Sequence, residues 1–555
     1  MILVGTRLVS RTWVGVFLSG IVLLLAAENL QSEPRKGSRP QSDKRRGITI
    51  YVDVASGNDT NRGTSSEPLK TLAAAARIAF KNYGQGVSTT ISIKPGQYRE
   101  AVSMNYSGTS SSASVSIIAA SAGTVVLNGA DLWDGWQPDS SKTGIYTHPW
   151  TFHWGPCNVP KDWPAVKPIV ARREIAFVNG AMLRQVLSAS ELSDGTFFVD
   201  EGSQQIKIYP PAGTDMALAA IEIAIRPHLL NIHGISNLTV SGLAFTKAAT
   251  CVPGGSMELF DSSNDTIENS QFNWNNWEGL VLHNVSQLTM RGIQASHNGG
   301  AGISGYQIKS MNLENGETSY NNWRGDWGGF YFFTQAGAKF LRVHDSQLRD
   351  FRAVNNQTSG LWFDTDNANV QIENANLSSN RGNGLFLEAN QGPITLDNSR
   401  ICQNRGEGVL VLDTDGVLIR KSLLYANKGA QILADGRQKS RSEHDWETRA
   451  NFTAKAKNLR LEGNIIVGTI PDQLLFKTYQ VDADSTTTLF STMSSNSNIW
   501  YNTATPRAFQ YDPELSGGRK VHNMDFAGWQ LFTGLDKDSK FTPPDQDPAQ
   551  ACSKP

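Results

Sequence analysis

Asp364 and Glu388 stand 24 residues apart (388 − 364), each closing a run of alternating apolar residues: Gly360-Leu361-Trp362-Phe363-Asp364 and Gly384-Leu385-Phe386-Leu387-Glu388. Side chains along a strand alternate between its two faces. With Leu361, Phe363, Leu385 and Leu387 turned to a core, the two carboxyl groups fall on the opposite face, at one position of two successive repeats. Adjacent strands lie ~4.8 Å apart, near the roughly 5–5.5 Å separation at which paired carboxylates cleave a glycosidic bond by double displacement. Read through neighbouring repeats, the same outward column gives His283, Tyr306 and Leu341 on one side and Leu412 on the other.

Other residues qualify as substrate contacts. Trp323 and Trp327, with Phe330 and Tyr331, are placed to stack on sugar faces, as are Tyr306, His283 and Trp362 on the outward columns; Lys339 or Arg342 would orient hydroxyls. Asp366 points outward in Asp364-Thr365-Asp366-Asn367, whereas Asp413 and Asp415 repeat that string as structural residues and His344 is expected to satisfy local hydrogen bonds. Hydrolysis by this pair needs no metal and no organic cofactor. A polysaccharide lyase would use the same face differently, binding Ca²⁺ through Asp364, Asp366 and Glu388 and taking a proton from a uronate with Lys339, Arg324 or Arg342. A carbohydrate-binding β-helix protein without catalysis is the third reading. Each takes a polysaccharide or oligosaccharide as partner.

What positions these residues is a repeat. Gly-apolar-x-apolar begins at Gly360, Gly384 and Gly408, spaced 24 (384 − 360) and 24 (408 − 384), and earlier at Gly279 and Gly302, spaced 23. Asn298, Asn321, Asn380, Asn404 and Asn427 follow their glycines by 19 or 20 residues. A coil of about this length with alternating apolar residues and an Asn at its turn specifies a parallel solenoid, each coil covering the next one's apolar edge. The fold class is all-β, a right-handed parallel β-helix. Between Gly302 and Gly337 the interval is 35 (337 − 302), which places about twelve extra residues around Trp323–Tyr331, as a loop on one face.

The balance of 50 Lys and Arg against 51 Asp and Glu, net −1, gives no reason to expect nucleic acid or an anionic membrane as partner. Arg7 and Arg11 precede an apolar run from Trp13 to Ala27, the parts of a secretory signal, too short for a comfortable membrane span. The expected organisation is a signal peptide at 1–27, a polar linker at 28–47, an N-terminal cap and first coils at 48–130, an inserted β-rich region at 131–225, the β-helix at 226–515, and a C-terminal cap and tail at 516–555. The charged stretch 436–457 reads as a further insertion. The protein is expected to be secreted or periplasmic and free of the membrane once the signal is removed. Four cysteines, Cys157, Cys251, Cys402 and Cys552, allow three pairings if all are oxidised.

Two stretches carry family resemblances. Ile50-Tyr51-Val52-Asp53 through Ile91-Ser92-Ile93-Lys94-Pro95-Gly96 resembles the opening of pectate-lyase-like β-helix proteins, which implies a capping helix at 73–80. Ala336-Gly337-Ala338-Lys339, Gly360-Leu361-Trp362-Phe363-Asp364, Leu385-Phe386-Leu387-Glu388-Ala389-Asn390-Gln391-Gly392-Pro393 and Asp397-Asn398 resemble family 120 of the glycoside hydrolases, β-xylosidases on a right-handed β-helix. The resemblance implies Asp364 as nucleophile and Glu388 as acid/base. It departs from the family pattern at Thr365, where an aromatic residue follows the nucleophile, and at Gln391, where a His precedes Gly-Pro.

Overall fold

The computed structural model describes residues 47–108, 111–140, 142–437, 441–512 and 522–553. The expected signal peptide, and all of the linker but residue 47, lie outside them. Successive coils stack in register as a parallel β-helix with three strand columns. In the site-bearing column Leu361 pairs with Leu385 and Leu385 with Val409, while Asp364 pairs with Glu388 and Glu388 with Leu412. Leu361, Phe363, Leu385, Leu387 and Val409 are fully buried along the axis. The alternation read from sequence is therefore the alternation between core and outer face.

The glycine and asparagine of the repeat form one device. Asn298, Asn321, Asn356, Asn380, Asn404 and Asn427 make a buried ladder, each side-chain amide donating to the next side-chain oxygen at 2.8–3.0 Å. The amide also donates to a main-chain carbonyl, as Asn380 does to Ala353 at 2.8 Å, so a buried polar group is fully satisfied at every turn. A Cβ on Gly360 would stand 2.6 Å from the Asn380 amide nitrogen, and one on Gly384 2.7 Å from that of Asn404. The coil opens with glycine because its own ladder residue occupies the side-chain space.

Helix Leu72–Gly84 caps the first coils, longer than the expected 73–80. Thr71 accepts from the Ala74 amide, and the Glu100 carboxylate accepts from the amides of Leu72 and Ala73 at 2.8 Å each, satisfying the helix start. Within 131–225, strands Ala176–Val178 and Ile221–Ala224 pair antiparallel, and Thr196–Asp200 pairs antiparallel with Gln205–Tyr209. Disulfide Cys157–Cys251 ties this region to the coils, and Cys402–Cys552 ties the last helix, Pro548–Ser553, to the solenoid. The 436–457 stretch contains an antiparallel hairpin, Arg441–His444 with Asn451–Ala454. No helix among the described residues is long and apolar enough to cross a membrane.

Candidate active site

Asp364 ends strand Ser359–Asp364 at a change in the solenoid. One coil earlier the strand runs unbroken as Ala336–Arg349, with Leu341 beside Asp364 and His344 beside Ala368. Three steps there (344 − 341) face four here (368 − 364), so this coil carries one extra residue directly after Asp364. The chain absorbs it in a turn at Thr365 and Asp366, with φ of 46° and 60°, a left-handed conformation costly for a β-branched residue. Main-chain bonds from Thr365 to the Glu388 carbonyl (2.7 Å) and from Asp366 to the Ala389 carbonyl (3.1 Å) hold it.

The two carboxylates sit in unlike surroundings. Asp364 Oδ2 is 2.8 Å from Lys339 Nζ, and Oδ1 accepts from the Thr365 hydroxyl at 2.9 Å. Lys339 also donates to the Phe333 carbonyl (2.6 Å) and lies 3.5 Å from the centre of the Trp362 ring. Glu388 Oε1 accepts from Arg441 Nη1 at 2.8 Å. Burial, followed by the Asp364 charge, pushes the Glu388 pKa above the ordinary carboxylate range, against the pull of Arg441 and Lys339. One carboxyl is thus set to hold a proton beside a carboxylate held by a cation and a hydroxyl. Such a pair can serve as acid/base and nucleophile.

Asp366 does not join them. The extra residue turns its side chain away, and it is fully buried: Oδ1 accepts from Gln391 Nε2 (2.6 Å) and lies 3.3 Å from His344 Nε2, while Oδ2 accepts from the Trp446 amide (2.7 Å). The three-carboxylate Ca²⁺ set expected for a lyase is therefore not assembled; Asp364 faces Lys339, Glu388 faces Arg441, and Asp366 faces neither. His344, Asp366 and Asp445 do bring ligand-type atoms within 4.8 Å of one another, but hydrogen bonds within the protein engage all three. Arg324, expected as a candidate base, is fully buried and donates to Asn276, Gln185 and the Glu174 carbonyl, out of reach of substrate.

The aromatic candidates divide. Trp323 is buried, its indole N–H on the His297 carbonyl at 2.8 Å, and half-buried Trp327 packs on it at 4.6 Å between ring centres. Both join Phe177, Ile175 and Trp274 where the inserted region meets the coils, so their rings pack between the two. Trp362 points outward as expected, but Phe386 stacks on it at 4.6 Å, the Lys339 cation lies 3.5 Å from its ring centre, and it is only 5 % exposed. His283 and Tyr306 share the column with Leu341 and Asp364 and stack on each other at 4.9 Å. The Arg342 guanidinium approaches the Tyr306 ring at 5.7 Å.

Two contributors carry no signal in the repeat. Arg441 comes from the hairpin, which the sequence marks by charge alone. Glu278 lies one strand position before the regular repeat begins; burial, with the Glu258 charge, pushes its pKa up to about 8 against a Ser304 hydrogen bond and the Lys339 charge.

A family profile described as "Right handed beta helix region" matches residues 257–427. No curated protein matches the sequence. Among solved structures, the chain is similar to one titled "The complex structure of XylC with xylose", at 16 % identity, 90 % of this chain and 86 % of that one covered, and a TM-score of 0.64. It is also similar to the A-module of the mannuronan C-5 epimerase AlgE4 of Azotobacter vinelandii, at 15 % identity, coverage of 88 % and 100 %, and a TM-score of 0.50. These likenesses carry the fold: the chain is a right-handed parallel β-helix.

Proposed function

We propose that the chain is an exported glycoside hydrolase that cleaves a xylose-containing or related plant-type glycan with retention of configuration, Asp364 acting as nucleophile and Glu388 as acid/base. The observation that carries this reading is the in-register pair in unlike environments. Asp364 attacks the anomeric carbon as the bond to the leaving oxygen breaks, and Glu388 gives that oxygen its proton. Water then attacks the glycosyl-enzyme, losing a proton to Glu388 and releasing Asp364. The raised Glu388 pKa favours the protonated form needed first. The family 120 resemblance and the likeness to a protein solved with xylose support the choice of sugar. The engagement of buried Asp366 by Gln391 and the Trp446 amide, away from the pair, supports hydrolysis over Ca²⁺-dependent elimination. Export rests on the basic and apolar N-terminal segment and on the pairing of all four cysteines in disulfides.

The test is turnover of a panel of aryl glycosides and xylo-oligosaccharides by wild type, Asp364→Asn and Glu388→Ala. Asp364→Asn is expected to lose nearly all turnover. Glu388→Ala is expected to lose about 10²–10⁴-fold on poor leaving groups and much less on activated aryl glycosides, with partial rescue by azide. Ultraviolet-absorbing products sensitive to EDTA, or full activity in Asp364→Asn, would contradict the proposal.

A further inference from the structure

The hairpin of Arg441–His444 and Asn451–Ala454 leaves the solenoid two coils beyond Glu388 and returns to lie over the pair. Its turn is fastened to the coils at four points. The Trp446 amide donates to Asp366 Oδ2 at 2.7 Å, and Gln391 Nε2 bridges Asp366 Oδ1 (2.6 Å) and Asp445 Oδ2 (3.0 Å). Glu447 takes His344 Nδ1 at 3.0 Å and Lys309 Nζ at 2.6 Å. From this anchored frame Arg441 reaches Glu388 Oε1 with Nη1 (2.8 Å), Thr365 Oγ1 with Nη2 (3.1 Å) and Glu443 Oε1 with Nε (2.8 Å). The Thr365 hydroxyl in turn donates a hydrogen bond to Asp364 Oδ1 at 2.9 Å. One guanidinium therefore spans both carboxylates, directly to one and through a hydroxyl to the other.

We propose that the hairpin is a working part of the site and that Arg441 is its positioning residue, fixing the Glu388 carboxyl by Oε1 so that Oε2 carries the proton delivered to the leaving group. The inference rests on the hydrolase reading of the pair. A guanidinium does not give up its proton and cannot accept one, so an oxygen bound to it stays an acceptor and the acid proton goes to the other oxygen. The Glu443 bond fixes the plane of the fork, which a lone flexible arginine would lack. Thr365 and Gln391, the two positions at which the chain departs from the family 120 pattern, are among the residues that receive the hairpin. The charged groups around Glu388 are Asp364 on the adjacent strand, Lys339 one strand further, and Arg441 with Glu443 on the hairpin; its other strand neighbour, Leu412, is apolar.

The test is the pH profile of kcat/KM on an aryl xyloside with a poor leaving group, which needs the acid proton, for wild type, Arg441→Met and Arg441→Lys. Losing the fork should cost about 10²-fold, the scale of a small misplacement of a reacting group. The alkaline limb should move to higher pH, because the guanidinium favours the ionised Glu388 and its removal leaves burial and the Asp364 charge opposed by Lys339 alone. Arg441→Lys should recover part of the rate and return the limb toward its wild-type position. Wild-type kcat/KM with an unmoved alkaline limb in Arg441→Met would overturn the inference. If the wild-type protein turns over no glycoside, the hydrolase reading fails separately, and melting temperature against pH still reads the contact. The fall in melting temperature as pH rises through the Glu388 titration should move to higher pH in Arg441→Met than in wild type, and adding Glu388→Gln should abolish it. The same pH dependence in wild type and Arg441→Met would overturn the pairing.

Discussion

His344 has both ring nitrogens engaged beneath the hairpin turn, Nδ1 with Glu447 and Nε2 with Asp366. Burial opposes its charge, but hydrogen bonds to Asp366 and Glu447 outweigh burial and push its pKa from 6.5 up to about 9. Asp445 adds its charge in the same direction, and Lys309 shares Glu447. A group with a raised folded pKa contributes stability that is complete below its unfolded value and disappears as pH rises through the folded one. The hairpin should therefore be held firmly at pH 6 and loosen as pH passes from 6.5 toward 9. Hydrogen exchange of the hairpin amides should accelerate over that window beyond the intrinsic pH effect, and should not do so in His344→Gln. Equal acceleration in both proteins would contradict the assignment. At this scale the sequence reveals Asp364 and Glu388, because a period of two within strands and 24 between coils indexes them. It misplaces Asp366, because one extra residue in a left-handed turn reverses the side of the strand its carboxylate takes. It does not reveal Arg441 as a site residue, since an inserted hairpin has no repeat to index it.

The insertion before Gly337 docks on the inserted β-rich region as well as on the coils. Its position is legible from the 35-residue interval, and it reaches the site, but with the Phe333 carbonyl that binds Lys339 rather than with its tryptophans. Tryptophan serves equally to stack on sugars and to seal two packed modules, and the choice depends on what lies opposite. Here that is residues 131–225, whose docking no local pattern encodes. Replacing Trp323 by Ala should cost about 3–5 kcal/mol, the range for emptying a buried aromatic site, and hydrogen exchange within 131–225 should rise. KM on an aryl glycoside should change less than stability does. Unaltered stability with a much raised KM would return Trp323 to the substrate surface.

In the molecule as a whole, the solenoid acts as a ruler. The asparagine ladder and its glycines hold the coils in register, register sets two carboxyl groups one strand apart, and the two insertions supply Phe333 on one side of them and Arg441 on the other. The ruler is legible in the sequence because it repeats; its attachments are not, because each occurs once. The strand spacing of ~4.8 Å leaves little room for a water between sugar and base, so the proposed mechanism has Asp364 itself attack. Proton NMR of the first sugar released from an aryl β-xyloside, recorded before mutarotation, distinguishes attack by Asp364 from attack by water. Attack by Asp364 gives the β-anomer first; an α-anomer formed first would contradict it.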